Sequence, residues 1–359
     1  MNETDNLLKL SYSKLTSKKI TRLITTFNID EIFEKDLSEI NNAINIKEEE
    51  WENVKNIKVE KAKKILSDVG AKIININDED YPENLKNVID PPPIIYLRGE
   101  LKPEDSLAVG IVGSRNCTEY GRTVAKTLAK ELAPYGITII SGLARGIDTA
   151  AHFGALEGGG RTIAVMATGI ERVYPSSNRN LASHIVKNGA LVTDFPPLTS
   201  PIGYHFPLRN RIISGLSNAI IAVQAEKRSG VFSTVSWALD YNREVFAVPG
   251  NVDIRQSRGT NKLIKMGASV VTSSEDILQA LNISSKKKKN KEKEEEVPLS
   301  LPGDEKIIYE MLGTEPIPVD AIIEMTGFTI QHITSVLLLL ELKGLIREVG
   351  GKRYIRNFV

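Results

Sequence analysis

Cysteine, histidine and excess charge are scarce in this chain of 359 residues. Cys117 is the single cysteine, so no disulfide can form within the chain, and the four histidines are too far apart for metal-ligand spacing. Lysine and arginine (46) nearly cancel aspartate and glutamate (45), so no overall positive field points to nucleic acid. We therefore expect no structural metal, and any anion site must be a local patch.

Long apolar runs are also missing near the N-terminus, where "MNETDNLLKLSYSKLTSKK" has neither signal-peptide nor transmembrane character. We expect a cytoplasmic protein with no membrane partner. Two nucleotide motifs are absent as well, because "GIVGSRNCTEYG" lacks G-x-G-x-x-G spacing and no G-x-x-x-x-G-K-[ST] occurs. A nicotinamide enzyme and a P-loop nucleotidase are therefore disfavoured, and no cofactor is predicted.

The residues with catalytic chemistry lack visible partners. Cys117 lies among Asn, Thr and Glu, and we interpret it as an ordinary thiol. Asp148 begins "DTAAHFGAL" and is placed to cap a helix, while His152, one turn later, is interpreted as a packed histidine. We expect that the protein is not an enzyme.

Hydrophobic periodicity divides the chain into four segments. Residues 1–85 have apolar residues at three- and four-residue spacing, which predicts a small helical domain, and "DPPPIIYLRG" then breaks the pattern. Residues 86–283 alternate apolar strands with amphipathic helices, which predicts a doubly wound α/β domain with a mostly parallel sheet. Residues 284–300 are typical of a charged linker, and residues 301–359 predict the three helices and hairpin of a winged-helix domain.

The loops that follow the strands of an open α/β sheet meet in one crevice. Here they combine small residues, which let backbone N–H groups approach an anion, with arginines suited to phosphate. The helix beginning near Pro207 would add two more arginines, unless these form structural ion pairs with Asp148, Asp194 or Glu226. The predicted site residues are Ser114, Arg115, Ser141, Gly142, Arg145, Gly169, Asn178, Arg179, Arg209, Asn210, Arg211, Ser229 and Gly230.

Two aromatic residues, Tyr174 and Phe206, accompany these arginines. Bases of single-stranded DNA stack on aromatic rings while arginines follow the phosphate backbone. The combination therefore predicts a single-stranded DNA site in the crevice. Simple packing of both rings in their loops is the alternative.

Seven segments in linear order resemble the DprA/Smf family of DNA-processing proteins, namely "DPPPIIYLRG", "GIVGSRNCTEYG", "SGLARGIDTAAHFGAL", "ATGIERVYPSSN", "FPLRNRIISGLS", "SGVFSTVSWALDYNREVFAVPG" and "GTNKLIKMGA". The resemblance implies an extended Rossmann-like domain, preceded by a SAM-like helical domain and followed by a winged helix. It also implies a homodimer that binds single-stranded DNA, protects incoming DNA and loads RecA recombinase onto it in natural transformation.

Carried over residue by residue, the family's binding pocket would comprise Ser114, Arg115, Arg145 and the segments 174–179 and 209–211. The chain departs from the family pattern in three places. Gln224 stands where an acid is common, Thr260 stands where cysteine is common, and the stretch after Ser229-Gly230 is altered. The helical front lacks the glycine-centred turn of helix–hairpin–helix DNA binders, so we assign it no DNA contact.

The winged helix has few residues suited to reading duplex DNA. Its predicted recognition helix, "TIQHITSVLLLLELKG", has polar residues such as His332 early on but no arginine or lysine before Lys343. Lys352, Arg353 and Arg356 in the wing could hold a phosphate. A protein-contact or autoregulatory role is the alternative.

Two other functions compete with DNA binding. Phosphoribohydrolases share this kind of sheet and carry P-G-G-x-G-T-x-x-E, whereas here Leu263 stands where the glutamate would be. Without that carboxylate the hydrolytic mechanism lacks its acid–base group. The remaining alternative is a sensor in which the crevice binds a small nucleotide and the winged helix responds.

Overall fold

The computed structural model describes residues 3–283, 303–313 and 316–356. The chain forms two compact units, Met1–Asn290 and Lys291–Val359. The predicted linker, residues 284–300, lies outside the described residues.

Short amphipathic helices open the first unit. Local chemistry sets their ends: the Thr16 hydroxyl accepts a hydrogen bond from the backbone N–H of Lys19 at 3.4 Å, and Gly70, at φ 65°, ends the last helix in a left-handed turn. Inside, Trp51 stacks on Phe33 with ring centroids 5.1 Å apart. The helices are α1 (Glu3–Tyr12), α2 (Ser17–Thr26), α3 (Leu37–Ala43), α4 (Glu48–Lys55) and α5 (Glu60–Val69).

A nine-stranded sheet forms the centre of the first unit. Its strands are β1 (Ala71–Asn75), β2 (Ile94–Gly99), β3 (Ala108–Val112), β4 (Thr138–Ser141), β5 (Thr162–Val165), β6 (Gly189–Thr193), β7 (Ala219–Ala222), β8 (Glu244–Ala247) and β9 (Ser269–Val270). They lie in the order β1-β2-β6-β5-β4-β3-β7-β8-β9. Strands β3 to β9 pair in parallel, whereas β2 is antiparallel to both β1 and β6.

The strand order reverses direction at β3. The chain winds from β3 outward through β4, β5 and β6, then returns to place β7 on the other side of β3. Because helices flank the sheet on both sides of that point, the loops after β3, β4 and β7 spread apart and leave a crevice at the carboxyl ends of the strands. The topology therefore places a ligand-sized opening at the loops that carry the predicted site.

Both faces of the sheet are covered by helices, since strands β3 to β7 are buried along their whole length. Helices α7, α8 and α13 share one hydrophobic core with one face, and α9 to α12 share another with the opposite face. The helices are α6 (Glu83–Lys86), α7 (Glu119–Leu132), α8 (Ile147–Glu157), α9 (Arg179–Lys187), α10 (His205–Leu216), α11 (Val231–Asp240), α12 (Arg258–Lys265) and α13 (Ser274–Ala280).

The N-terminal helices and the sheet pack as one body. Their buried apolar residues belong to a single cluster that contains Leu8 of α1 and Ile95 of β2. Hydrogen bonds reinforce the contact: the hydroxyls of Ser11 and Tyr96 are 2.5 Å apart, and Tyr12 donates to the carbonyl of Pro197 at 2.6 Å. The sheet begins with β1, which precedes the predicted boundary between the helical and α/β domains at residue 85. That boundary stays a prediction.

The second unit has winged-helix topology. It contains α14 (Gly303–Met311), β10 (Ile317–Pro318), α15 (Val319–Thr326), α16 (Ile330–Leu342), β11 (Ile346–Glu348) and β12 (Arg353–Arg356). The three strands form a sheet in the order β10-β12-β11. The predicted fold class, a mostly parallel doubly wound sheet with a helical region before it and a winged helix after it, is confirmed.

Among the residues described, no single helix is long and apolar enough to cross a membrane. Helices α15 and α16 together would suffice by length and composition, but they meet at a bend of 115°.

A buried ion pair ties together the amino ends of the central strands. Asp105, which precedes β3, accepts hydrogen bonds from Nε and Nη2 of Arg161 at 2.8 and 2.7 Å. It also accepts from the hydroxyl of Thr138, the first residue of β4, at 2.7 Å. One carboxylate thus connects the amino ends of β3, β4 and β5, whereas the crevice lies at the carboxyl ends of the strands.

We expect Asp105→Asn to lower the free energy of unfolding by about 3 kcal/mol, because it leaves the half-buried guanidinium of Arg161 without its counter-ion. Urea unfolding followed by circular dichroism measures the change. Glu104→Gln, an exposed neighbour, serves as the control and should change stability by less than about 0.5 kcal/mol. Equal stability of the two variants would contradict this account of Asp105.

Candidate nucleic-acid interface

The loop after β3 is held rigidly at the crevice. The backbone N–H of Ser114 donates to the carbonyl of Gln224 at 2.7 Å, and the N–H of Thr118 donates to the Gln224 side-chain oxygen at 2.9 Å. The Gln224 amide nitrogen donates in turn to the Thr118 hydroxyl at 2.9 Å. Gln224, one of the departures from the family pattern, therefore acts as a buried clamp that uses both ends of its amide.

The loop after β4 packs against the loop after β3. Gly146 has φ 81°, and a Cβ at that position would overlap the carbonyl oxygen of Ser114, so a glycine is needed for this close approach. Buried Leu143 also adopts a left-handed conformation, with φ 57°. Asn178 supports it by donating from its amide to the Leu143 carbonyl and the Thr149 hydroxyl, both at 2.9 Å.

Arg209, at the start of α10, lies under the crevice as part of its floor, only 4% exposed. Its Nη1 donates to the carbonyl of Gly142 at 2.6 Å and to the carbonyl of Val165, and its Nε donates to Asn210 Oδ1 at 3.2 Å. A Cβ at position 142 would overlap the guanidinium, so Gly142 is required by Arg209. This arginine links the carboxyl ends of β4 and β5.

Asp148 is the buried acid that faces this cation. Its Oδ2 accepts a hydrogen bond from the backbone N–H of Ala144 at 3.2 Å. Burial raises the pKa of Asp148, and the positive charge of Arg209 partly opposes that rise. Burial likewise lowers the pKa of Arg209 to about 10, with Asp148 acting against the shift. The two groups therefore depend on each other for compensation inside the protein.

Arg211 forms a structural ion pair with Asp194. Such a pair was the alternative to phosphate binding for this arginine. Its Nη2 lies 2.8 Å from Asp194 Oδ2, and both side chains are 14% exposed. Its Nη1 donates to the carbonyl of Asp90 at 2.9 Å. The guanidinium thus joins the loop after β6 to the segment before β2.

The exposed side of the crevice carries a cation stacked on an aromatic ring. The guanidinium carbon of Arg115 lies 4.5 Å from the centroid of the Phe206 ring. The Tyr174 ring is 5.9 Å from Phe206, tilted at 55°, and is 47% exposed. Since Arg115 has no ion-pair partner among the residues described, its charge is available to an anion.

Together these loops enclose a cavity of about 600 Å³, large enough for a ligand such as a nucleotide. Arg115, Arg209 and Arg228 contribute positive charge, while Glu226 is paired with Arg255 at 2.8 Å. A chain of nearly zero net charge thus presents a positive opening. The predicted residues that line the cavity are Ser114, Arg115, Tyr174, Phe206, Arg209, Asn210, Ser229 and Gly230.

Five predicted residues do not line this cavity and instead support the loops around it. The Ser141 hydroxyl donates to the carbonyl of Ile111 at 2.6 Å, and Gly169 lies buried below the side chain of Glu171. The others are engaged with the protein as described above, namely Gly142, Asn178 and Arg211. Arg145 and Arg179 are exposed but lie outside the lining of this cavity.

Arg228 lines the cavity although the sequence prediction omitted it. It follows β7 in "VQAEKRSG", so the rule that selected the other strand-end residues would have found it.

His152 and Cys117, which were considered for catalysis, lie in surroundings that favour their neutral forms. His152 is fully buried with its Nδ1 2.7 Å from the Thr162 hydroxyl, and burial lowers its pKa to about 3. Burial also raises the pKa of the Cys117 thiol, which favours the unreactive form. In the described part of the chain, no three His, Cys, Asp or Glu side chains cluster as metal ligands.

The polar residues of the winged helix are largely engaged within that unit. His332 Nε2 lies 2.9 Å from Asp304 Oδ2. The Arg356 guanidinium stacks 4.3 Å from the centroid of the Tyr309 ring, and its Nε donates to the Tyr309 carbonyl at 3.1 Å. Lys343 forms an ion pair with Glu305. Lys352 and Arg353 in the wing are exposed and form no ion pair among the residues described, so they remain the cations that could hold a phosphate.

The fold and the crevice define a class: extended Rossmann-like proteins with an arginine-lined opening at the switch point of the sheet and a winged helix after it. Residues 72–282, more than half of the chain, match the family model for DNA recombination-mediator protein A, and residues 292–352 match the DprA winged helix domain. The chain therefore belongs to the DprA/Smf family of DNA-processing proteins.

Particular relatives agree with this assignment. The chain is 43% identical to DNA processing protein DprA of Bacillus subtilis over 213 residues, which cover 59% of this chain and 72% of the relative. The X-ray structure of DNA processing protein A from Streptococcus pneumoniae superimposes with a TM-score of 0.69 at 33% identity, covering 78% of this chain and 98% of that one.

A second solved structure concerns the single-stranded DNA binding mode of DNA processing protein A from Helicobacter pylori. It has a TM-score of 0.53 and 31% identity, and the match covers 59% of this chain and 95% of that chain.

We expect Arg209→Met to lower the free energy of unfolding by about 3 kcal/mol, because it removes the donor for two buried carbonyls and leaves Asp148 without compensation. Adding Asp148→Asn should restore part of the loss, since it removes the uncompensated charge. Urea unfolding measures all three variants. Arg145→Met, at an exposed arginine, is the matched control, and an equally small effect of Arg209→Met would show that its guanidinium is not structural.

The raised pKa of Asp148 also predicts a pH dependence. Because the folded protein binds this proton more tightly than the unfolded chain, ionisation of Asp148 opposes folding. As the pH falls from neutral toward the ordinary aspartate range, wild type should gain stability relative to Asp148→Asn. Paired urea titrations across that range test this, and a constant difference would refute it.

Proposed function

We propose that the crevice binds single-stranded DNA, with the Arg115–Phe206–Tyr174 group as its contact platform. The observation that carries this proposal is the stacking of the Arg115 guanidinium 4.5 Å from the Phe206 ring at the opening of the cavity. A base can stack on the exposed face of Tyr174 while Arg115 holds the adjacent phosphate. Both contacts are independent of base identity, so we expect little sequence preference.

Two further facts support DNA as the ligand. The chain belongs to a family of DNA-processing proteins, and its structural neighbour from Helicobacter pylori was solved for its single-stranded DNA binding mode. The second fact describes that protein, and we extend it to this chain because the match covers 95% of that protein at 31% identity.

The predicted residues divide into two roles in this proposal. Those on the surface of the opening contact DNA, with Ser114 and Gly230 allowing close approach of a phosphate to the backbone. Arg209 shapes the floor and raises the local positive potential, although its own hydrogen bonds go to the protein. Arg145 and Arg179 are exposed outside the lining of the cavity, where only a strand longer than the crevice would reach them.

The cellular role is part of the same proposal. From family membership we infer a non-enzymatic cytoplasmic protein that acts as a homodimer, protects incoming DNA and loads RecA recombinase onto it during natural transformation. The proposed surface suits such a role because it holds the backbone without requiring a particular sequence. A mediator must also release DNA, and contacts with exposed side chains allow that.

The two alternative functions, a phosphoribohydrolase and a nucleotide sensor, would need different chemistry in the crevice. Leu263, which stands where a phosphoribohydrolase would carry its glutamate, is 2% exposed and packs in the core, so that position offers no acid–base group. Release of ribose phosphate from a nucleoside monophosphate would favour such an enzyme. Tight binding of a mononucleotide that oligonucleotides do not displace would favour a sensor.

We expect Arg115→Gln and Phe206→Leu each to weaken binding of labelled oligo(dT) by about tenfold, because they remove a phosphate contact and a stacking surface respectively. Fluorescence anisotropy across a salt series separates the two effects. Arg115→Gln should reduce the log–log salt slope by about 0.7, whereas Phe206→Leu should leave the slope nearly unchanged.

Arg122→Gln is the matched control, since Arg122 is an exposed arginine on α7 paired with Glu119. It should bind oligo(dT) like wild type. If Arg115→Gln and Phe206→Leu both bound with wild-type affinity and salt slope, the crevice would not be the DNA site.

A further inference from the structure

A second cleft lies on the other side of the segment 171–179. It encloses about 400 Å³ and is walled by the start of that segment, by α9 and by the end of β2. Its lining residues are Arg98, Glu171, Arg172, Val173, Arg179, Ala182 and Ser183.

Three arginines face one carboxylate in this cleft. Within the described ranges, none of Arg98, Arg172 and Arg179 forms an ion pair, and Arg172 makes only a 3.2 Å hydrogen bond from Nη1 to the Ser200 hydroxyl. Like charges held around one opening repel each other unless an anion enters. The cleft therefore has an excess of positive charge that the protein does not neutralise.

Glu171 does not provide the missing neutralisation. Its Oε1 accepts a hydrogen bond from the backbone N–H of Leu198 at 3.0 Å, and its carboxylate packs on Gly169. The other oxygen, Oε2, is buried without a hydrogen-bond partner among the described residues. The carboxylate is thus held by the 194–199 loop and forms no ion pair with the three arginines among the residues described.

The ligand chemistry follows from what lines the cleft. Guanidinium groups bind phosphate oxygens with paired N–H donors, and the Ser183 hydroxyl can add another polar contact. The lining contains no aromatic ring on which a base could stack. The surface therefore suits a sugar–phosphate backbone better than a free base.

The position of the cleft indicates where that backbone comes from. Tyr174 lines the main crevice, whereas Arg172 and Val173, one and two residues earlier, line the second cleft. One short segment therefore forms a wall of both openings. A strand that leaves the main crevice over the Tyr174 ring reaches the arginines directly.

We propose that the Arg98–Arg172–Arg179 cleft is an extension of the DNA site, which binds phosphodiester groups of the same strand as it leaves the main crevice. This inference rests on the proposed function of the crevice. It predicts two classes of ligand: short oligonucleotides that occupy the crevice alone, and longer ones that occupy both openings.

The test compares Arg172→Gln/Arg179→Gln with wild type, using labelled oligo(dT) of about 4 to 20 nucleotides in anisotropy titrations. Both arginines are exposed, so the substitutions should leave the fold intact, and half-buried Arg98 is kept. Long oligonucleotides should bind about tenfold more weakly to the variant, with a salt slope lower by about 1.4. Short ones should bind as they do to wild type.

Two matched variants complete the design. Arg22→Gln/Arg122→Gln removes two arginines on α2 and α7 that line neither opening, and this variant should bind every length like wild type. Arg172→Lys/Arg179→Lys retains the charge and should recover most of the affinity for long oligonucleotides.

The outcomes separate the cleft from the crevice. If Arg172→Gln/Arg179→Gln matched wild type at every length while Arg115→Gln bound weakly, the cleft would not be part of the site and the proposed function would stand. If the Gln variant lost affinity equally at all lengths, the two openings would not be separate subsites. If Arg115→Gln also bound every length like wild type, the proposed function itself would fail.

Discussion

The buried guanidinium of Arg209 is the interaction on which the crevice depends. It closes the carboxyl ends of β4 and β5 through the carbonyls of Gly142 and Val165, which otherwise have few donors available at a strand end. Its presence requires a glycine at position 142 and a compensating acid nearby, Asp148. The floor of the opening is therefore built around a buried cation that backbone carbonyls hold in place.

That arrangement explains how a chain with nearly equal numbers of acidic and basic residues can present an opening rich in arginine. Acidic residues near the opening are either buried, as Asp148 is, or paired, as Glu226 is with Arg255. Arg115 is left without an ion-pair partner among the residues described and rests on Phe206. The local potential follows from which charges are compensated, and net charge does not report it.

The winged helix contrasts with the crevice in how its cations are used. Arg356 stacks on Tyr309 and Lys343 pairs with Glu305, so these side chains stabilise their own unit. Apolar residues Leu338 and Leu342 are exposed on α16, where a duplex-reading helix would carry polar groups.

The sequence by itself determined the order of the elements and the loops that carry the site, because apolar period and glycine position report on backbone conformation. It placed Arg115, Arg209 and Arg211 at those loops but did not distinguish the roles of the three side chains. Only the tertiary structure assigned one to solvent, one to strand carbonyls and one to Asp194, since burial depends on partners distant in the chain. Arg98 likewise became part of a cleft with Arg172 because β2 and α9 pack together, which no local pattern encodes.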